Sequence, residues 1–197
     1  MPIGIDIDRA AGIVKNGGII AYPTETVYGV GALAIDVGAL QRVYQVKERP
    51  TSMPLSIAVS SMEMLESVAK VECRDFIQKF LPGPVTVILK KKKPLPDLLT
   101  AGSKYVGIRY PDDHMALELI DKCGPIVSTS ANRHGEKDPL TAEEVTIPVD
   151  YVLDGGRARY AAPSTIVDLH EYRIVRKGVM YEEVRKYMYG CGCATED

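Results

Sequence analysis

Apolar residues in this chain either form short runs or recur every three to four positions. The helical spacing predicts a first helix over Ile7–Lys15, which ends at two glycines and precedes an apolar strand at 19–22. A second helix is predicted over 37–47 and ends before Pro50. Further strands are predicted at 55–59, 85–89, 106–110, 126–128, 151–153, 165–169 and 173–175, and further helices at 61–70, 73–81, 114–122, 141–145 and 180–188.

Strands and helices therefore interleave along the whole chain, which is typical of a single α/β domain. The strands at 165–169 and 173–175 are close enough in sequence to form a hairpin, so we expect a mixed sheet. We expect one domain over residues 1–188 and a flexible tail over 189–197.

The composition excludes several classes of protein. With 46% hydrophobic and 25% charged residues, the chain is an ordinary globular protein rather than a disordered or collagen-like one. It contains no apolar run of about 18 residues that could span a membrane. The first ten residues carry acids where a signal peptide needs bases and then an apolar run. We therefore expect a cytoplasmic protein.

Four cysteines are too few and too unevenly placed for a disulfide scaffold. Cys73 and Cys123 are expected to be buried free thiols. Cys191 and Cys193 in the tail could bind a metal or pair with a partner chain, although a lone C-x-C is a weak signal. This cysteine usage is typical of a reducing compartment.

The charge bears on nucleic-acid binding. The chain has 24 Lys+Arg and 26 Asp+Glu, a net charge of −2, whereas nucleic-acid affinity comes largely from a basic surplus. One basic run, at 90–93, is interpreted either as a solvated loop or as a local RNA or phosphate contact.

Three segments concentrate turn residues, hydroxyls and cations directly after apolar elements, where ligands of α/β sheets usually bind. Residues 22–31 (YPTETVYGVG) allow a small polar ligand close to the backbone. Residues 47–50 (KERP) carry two cations that reach different phosphate oxygens if the chain leaves the helix between them. Residues 128–132 (STSAN) suit phosphate or ribose. Each has a structural alternative: an ordinary turn, a charged helix end or a capping-rich turn.

Two arginines end apolar strands. Arg109 is costly there unless it is paired, so it requires either a buried carboxylate or a ligand carboxylate, and Arg176 is in a similar position. Neither a P-loop nor a G-x-G-x-x-G motif is present, and the three histidines lack metal-ligand spacing.

Taken together, these segments resemble the YrdC/TsaC-type threonylcarbamoyl-AMP synthases. The resemblance covers roughly residues 10–180, and its specificity lies in the order and spacing of six modest motifs. They are 22–31, 47–50, 81–86, 106–114, 128–132 and 163–168.

The resemblance implies a twisted, mixed α/β domain with flanking helices around a large, positively lined cavity. It also implies a nucleotidyltransferase reaction. L-Threonine and bicarbonate would form N-carboxy-threonine, which attacks the α-phosphate of ATP and gives threonylcarbamoyl-AMP and pyrophosphate. A partner transferase would then modify adenosine 37 of tRNA.

By the same resemblance, Lys47 is the expected catalytic residue. The ATP-binding residues would be Lys47, Arg49, Asn132 and Arg176, and the threonine-binding residues Thr26, Arg109, Ser130 and Ser164. Mg²⁺ would be held mainly through the ATP phosphates, with no metal site of the protein's own.

This sequence departs from the family pattern in places. Ala58 stands where many members have a histidine, which removes one expected threonine contact, and the late R-P-G pattern is Arg176-Lys177-Gly178. The chain resembles the short, single-domain form.

Two other functions remain open at this point. An RNA-binding protein, with tRNA or double-stranded RNA as ligand and no turnover, is the first. A carbamoyl-adenylate enzyme is the second, although the acylphosphatase-like and zinc-finger segments that accompany it elsewhere do not fit in this chain. A weak tRNA contact is compatible with the synthase.

Overall fold

Ten strands form one mixed sheet in the computed structural model, which describes residues 1–190. The strands are β1 (Ile3–Gly4), β2 (Ile20–Tyr22), β3 (Gly29–Gly31), β4 (Ser56–Ala58), β5 (Gly83–Lys90), β6 (Tyr105–Tyr110), β7 (Ile126–Ser130), β8 (Tyr151–Leu153), β9 (Thr165–Asp168) and β10 (Arg173–Arg176). The α-helices are α1 (Ile7–Lys15), α2 (Val37–Val46), α3 (Met62–Val68), α4 (Arg74–Phe80), α5 (Asp97–Thr100), α6 (His114–Cys123) and α7 (Tyr181–Tyr189), and a 3₁₀ turn spans Ala142–Glu144.

The strands lie in the order β1-β8-β2-β3-β7-β4-β6-β5-β9-β10. The sheet contains parallel pairs, such as β4 with β6 and β5 with β9, and antiparallel pairs, such as β3 with β7 and β9 with β10. The mixed sheet and the predicted hairpin of the last two strands are thereby confirmed. This order brings the end of β7 beside β3 and β4, so segments distant in sequence meet at the centre of the sheet.

Four helices begin at the side-chain caps that their sequences provide. Asp6, Asp36, Ser61 and Asp113 each accept a hydrogen bond from the backbone N–H three residues later, at 2.9 to 3.0 Å. Such caps satisfy N–H groups that have no partner inside the helix. The apolar faces behind these caps then pack against the sheet.

The helices bury two apolar clusters. In one, α1 packs against α6 and covers Tyr22, Ile126 and Tyr151. The larger cluster joins α2, α3, α4 and α7 to the sheet and contains Val85, Val87 and Leu89 of β5 and Val106 and Ile108 of β6. Leu40, Val43 and Tyr44, which lie at helical spacing in α2, are buried as predicted, whereas Val37 at the start of that helix is exposed.

Some expectations from the sequence need correction. Strands β1 and β3 and helix α5 were not predicted, and segment 141–145 forms only a 3₁₀ turn. Cys73 is exposed and Cys123 only partly buried, so the prediction of two buried thiols is wrong. Cys191 and Cys193 lie outside the described residues. Within residues 1–190, no helix is both long and apolar enough to cross a membrane.

Candidate functional site

A cavity of about 610 Å³ opens above the centre of the sheet. Its wall combines the turn after β2, the end of α2, strands β4 to β6, the end of β7 and strands β9 and β10. All eight residues that the family resemblance assigned to ATP or threonine line this one cavity: Thr26, Lys47, Arg49, Arg109, Ser130, Asn132, Ser164 and Arg176.

The wall carries charges of both signs. Four of the eight predicted residues are cationic, and the carboxylates on the wall belong to Glu136, Asp138 and Asp168. The cations exceed the carboxylates by one only, so anions would be held by local groups of cations rather than by a uniformly basic surface.

Lys47 is buried at the end of α2, with 2% of its surface exposed. Its ammonium donates to the backbone oxygen of Asn132 at 2.7 Å and also to the backbone oxygen of Ser130. Burial and, to a smaller extent, the charge of Arg49 lower the pKa of Lys47 to about 8, and the charge of Asp138 opposes the change. The ammonium is thus fixed in the wall of the cavity.

The chain leaves the helix between Lys47 and Arg49, as the sequence required for two cations that reach different oxygens. Glu48 has a φ of 50°, in the left-handed region that ends helices. The Arg49 guanidinium donates to the backbone oxygen of Pro54 at 3.0 Å, and it lies 3.5 Å from the His134 ring nitrogen. Burial lowers the pKa of Arg49.

The Asn132 side chain is held at both ends. Its Oδ1 accepts from the Ser130 hydroxyl at 2.6 Å, and its Nδ2 donates to the Glu136 backbone oxygen and to Asp138 at 2.6 and 3.1 Å. A fully bonded amide of this kind keeps one orientation. Ser130 and Asn132 therefore form one hydrogen-bonded group with Lys47, which comes from the end of α2.

Arg109, on β6, is buried at the other side of the cavity, with 4% of its surface exposed. Its guanidinium donates to Glu25 Oε1 at 2.6 Å and to the Gly83 backbone oxygen at 2.9 Å, and it lies 3.5 Å from Thr26 Oγ1. Of the two partners that the sequence left open, the structure contains the buried carboxylate, Glu25. Arg109 also lines the cavity, so it can still meet a ligand.

Ser164 and Arg176 are linked on the third side of the cavity. The Arg176 Nη2 donates to Ser164 O at 2.8 Å, and the Ser164 hydroxyl lies 2.7 Å from Thr86 Oγ1. Burial lowers the pKa of Arg176. The antiparallel pairing of β9 with β10 brings these two residues together.

Reasoning from the sequence missed several residues of the site. Glu25 lies inside a recognised motif, but no spacing rule pairs it with Arg109, and Thr86, His134 and Asp138 carried no separate signal. Ala58 is fully buried in the cluster with Tyr22 and does not line the cavity. Within residues 1–190, no three His, Cys, Asp or Glu side chains group as a metal would require.

The fold and this cavity define an α/β protein with four cationic side chains in the wall of a central cavity. The profile of the Sua5/YciO/YrdC family, described as telomere recombination, matches residues 12–178. The chain belongs to this family.

Two relatives and one solved structure illustrate the similarity. Threonylcarbamoyl-AMP synthase of Pyrococcus abyssi is 38% identical over 90% of this chain and 55% of its own length. The enzyme of that name from Hydrogenovibrio crunogenus is 31% identical over 87% of this chain and 97% of its own length. The crystal structure of P. abyssi Sua5 complexed with L-threonine superposes with a TM-score of 0.89 and 34% identity, covering 96% of this chain and 60% of that one. This chain thus spans little more than half of the Pyrococcus protein.

Proposed function

We propose that this protein is a threonylcarbamoyl-AMP synthase, a nucleotidyltransferase that uses L-threonine, bicarbonate and ATP. The observation that carries the proposal is that four cationic side chains, those of Lys47, Arg49, Arg109 and Arg176, line one cavity. Lys47, Arg49 and Arg176 would meet the phosphates of ATP, whereas Arg109 with Thr26 would meet the threonine carboxylate. The family relatives that bear this name and the neighbour complexed with L-threonine support it.

The proposed reaction has two steps. The threonine amine adds to bicarbonate with loss of water, giving N-carboxy-threonine. A carboxylate oxygen of that group attacks the α-phosphorus of ATP, the bond to the β-phosphate oxygen breaks, and pyrophosphate leaves. Both partners are anions, so the protein would accelerate the step by positioning them and by neutralising charge. Neither step needs a covalent protein nucleophile.

The residues on the wall suit these tasks. A pKa of about 8 keeps Lys47 mostly charged at neutral pH, so it would stabilise the transferring phosphate or orient the bicarbonate. Arg49 and Arg176 would hold phosphate oxygens, and Asn132 would share their subsite. Ser130 and Ser164 would contact the threonine moiety through their hydroxyl groups.

Mg²⁺ would enter this site as part of the ATP substrate. It would be held mainly through the ATP phosphates, which supply the oxygen ligands that Mg²⁺ prefers. When bound, the ion would neutralise the pyrophosphate charge as it leaves.

The product would serve a partner. Threonylcarbamoyl-AMP is a mixed anhydride, so a transferase that carries it to adenosine 37 of tRNA would have to take it up before water does. A weak tRNA contact by this chain would help that transfer. We place the reaction in the cytoplasm, where ATP and tRNA are available.

The test is pyrophosphate release from ATP and Mg²⁺, with threonine and bicarbonate each supplied or omitted. We expect release only when both are present, together with a threonylcarbamoyl-adenylate detected by mass spectrometry. Release that ignores threonine but needs carbamoyl donors would indicate the carbamoyl-adenylate reaction. No release, combined with salt-sensitive tRNA binding, would overturn the proposal in favour of RNA binding.

A further inference from the structure

Glu25 and Arg109 form an ion pair behind the cavity wall. Their side chains are 1% and 5% exposed, and among the ion pairs of residues 1–190 this is the one with both partners buried. Glu25 does not line the large cavity, whereas Arg109 and the next residue, Thr26, do. The carboxylate therefore contacts the guanidinium from the side that a substrate in this cavity does not reach.

Stability alone does not account for this pair. Removing two charges from water costs about as much as their attraction returns, so apolar side chains would serve a core equally well. Glu25 also leaves its second oxygen, Oε2, buried without a hydrogen-bond partner in the structure. A pair that keeps an unsatisfied oxygen is not optimised for folding, so folding stability does not explain why Glu25 is paired with Arg109.

The geometry around the pair fixes the guanidinium on two sides. Nη1 donates to the Gly83 backbone oxygen at 2.9 Å, and Nη2 donates to Glu25 Oε1 at 2.6 Å. A planar guanidinium anchored at both terminal nitrogens cannot rotate freely about its last bonds. Any N–H that remains for a ligand then points in a set direction.

The turn that supplies Glu25 is itself held in place. Thr24 Oγ1 donates to Val27 O at 2.6 Å, and the Glu25 backbone oxygen accepts from Tyr160 N at 2.8 Å. Because Glu25 and Thr26 are neighbours in this turn, one rigid segment contacts Arg109 from behind and lines the cavity in front.

We propose that Glu25 is a positioning residue that orients the Arg109 guanidinium toward the carboxylate of the amino-acid substrate. This inference rests on the proposed function. Glu25 would not touch substrate, and its effect would pass through Arg109 alone. It would therefore govern threonine binding and leave ATP binding unaffected.

The test compares Glu25→Gln with wild type in the pyrophosphate assay. We expect the threonine KM to rise about tenfold, the equivalent of one charge-assisted hydrogen bond, with the ATP KM within about twofold of wild type. Glu25→Asp keeps the charge but shortens the side chain, and we expect the same selective rise, because the carboxylate no longer reaches Nη2. Either variant suffices if the other does not fold.

Tyr28→Phe is the matched control. It removes a buried hydroxyl that bonds to Gly156 O at 2.8 Å, close to the same turn and outside the cavity wall. We expect it to lower the melting temperature and leave both KM values unchanged. A Glu25 variant that loses threonine and ATP affinity equally, as a merely destabilised protein would, overturns the proposal.

A double-mutant comparison tests the route through Arg109. In the Arg109→Ala background, Glu25→Gln should leave the threonine KM unchanged, since no guanidinium remains to orient. A further rise would overturn the positioning role. If wild type itself shows no threonine-dependent release, the proposed function fails and the inference falls with it; if wild type is active and Glu25→Gln is unselective, only the inference fails.

Discussion

The ammonium of Lys47 donates to the backbone oxygen of Asn132 at 2.7 Å, across 85 residues of sequence. The end of α2 is thereby joined to the end of β7 at the floor of the cavity. Two of the three ammonium hydrogens go to backbone oxygens, of Ser130 and Asn132, and the Asn132 Oδ1 is 3.4 Å away. That longer contact leaves a donor that an anion can take.

This buried ammonium makes the stability of the protein depend on pH. The pKa of Lys47 is about 8 in the fold against an ordinary 10.5, so between pH 8 and 10 the unfolded chain binds more protons. The free energy of unfolding should therefore gain about 1–2 kcal/mol from this residue over that interval. Below pH 8 both states are protonated, and the cost of burying the charge is fully present.

Urea unfolding at pH 7, 8, 9 and 10 measures this effect, with Lys47→Met as the control. The free energy of unfolding of wild type should rise relative to that of Lys47→Met as the pH rises from 8 to 10. Burial raises the pKa of Tyr22 and of Tyr28 to about 12, a contribution that both proteins share. A difference that stays constant with pH would mean that Lys47 remains charged in the folded protein up to pH 10.

Asp138 should weaken ATP binding rather than assist it. Its carboxylate accepts from Asn132 Nδ2 at 3.1 Å, and its charge raises the pKa of both Lys47 and Arg176. Asp138→Asn keeps an acceptor and removes a negative charge that faces the phosphates. We expect Mg²⁺-ATP to bind about threefold to tenfold more tightly in calorimetry.

Glu136→Gln is the control for this prediction, because Glu136 lines the same wall but contacts Asn132 only through its backbone oxygen. We expect a smaller change for that variant. If Asp138→Asn instead weakens Mg²⁺-ATP binding, its carboxylate is a ligand of the metal, and the prediction is wrong.

The sequence predicted an element correctly where one short segment determines its structure. Helix α1 has the predicted bounds, because its apolar spacing and the Asp6 cap lie within ten residues. Strand β3 consists of Gly29, Val30 and Gly31 and was missed, since three residues show no period and two glycines disfavour a strand. Its hydrogen bonds to β2 and β7 are what form it.

The same dependence on pairing between distant segments limits how much of the site can be predicted from the sequence. Segments 22–31, 47–50 and 128–132, with Arg109 and Arg176, were identifiable from their own chemistry, whereas Ser164 was named only through the family resemblance. Which groups pair could not be read from the sequence: Arg109 had two possible partners, and Glu25 lies 84 residues away. Only the pairing of the strands decides such contacts.

Arg109→Ala should affect threonine far more than ATP. The variant loses the group that would clamp the substrate carboxylate, so the threonine KM should rise about 100-fold, as for a lost bidentate ion pair, while the ATP KM changes little. It also leaves Glu25 buried without its cation, which should cost about 3–5 kcal/mol of stability. Steady-state kinetics below the melting transition measure the first effect and urea unfolding the second. Equal losses for both substrates in folded protein would contradict the carboxylate assignment.

Arg176→Lys should not be a conservative change. Two guanidinium nitrogens, Nε and Nη2, donate to Ser164 O at 3.2 and 2.8 Å, and Nη2 lies 3.2 Å from the Ser164 hydroxyl. A lysine has the charge but not this fork, so it cannot hold Ser164 and a phosphate together. We expect about tenfold weaker ATP binding and a threonine KM raised about threefold.

Arg173→Lys provides the comparison for Arg176, because Arg173 lies on the same strand and pairs with exposed Glu171 outside the cavity. That variant should match wild type in both assays. If Arg176→Lys also matches wild type, a point charge is sufficient at this position and the link to Ser164 is without consequence. If ATP binding weakens while the threonine KM stays unchanged, Arg176 serves the phosphates alone, and Ser164 is held through its contact with Thr86.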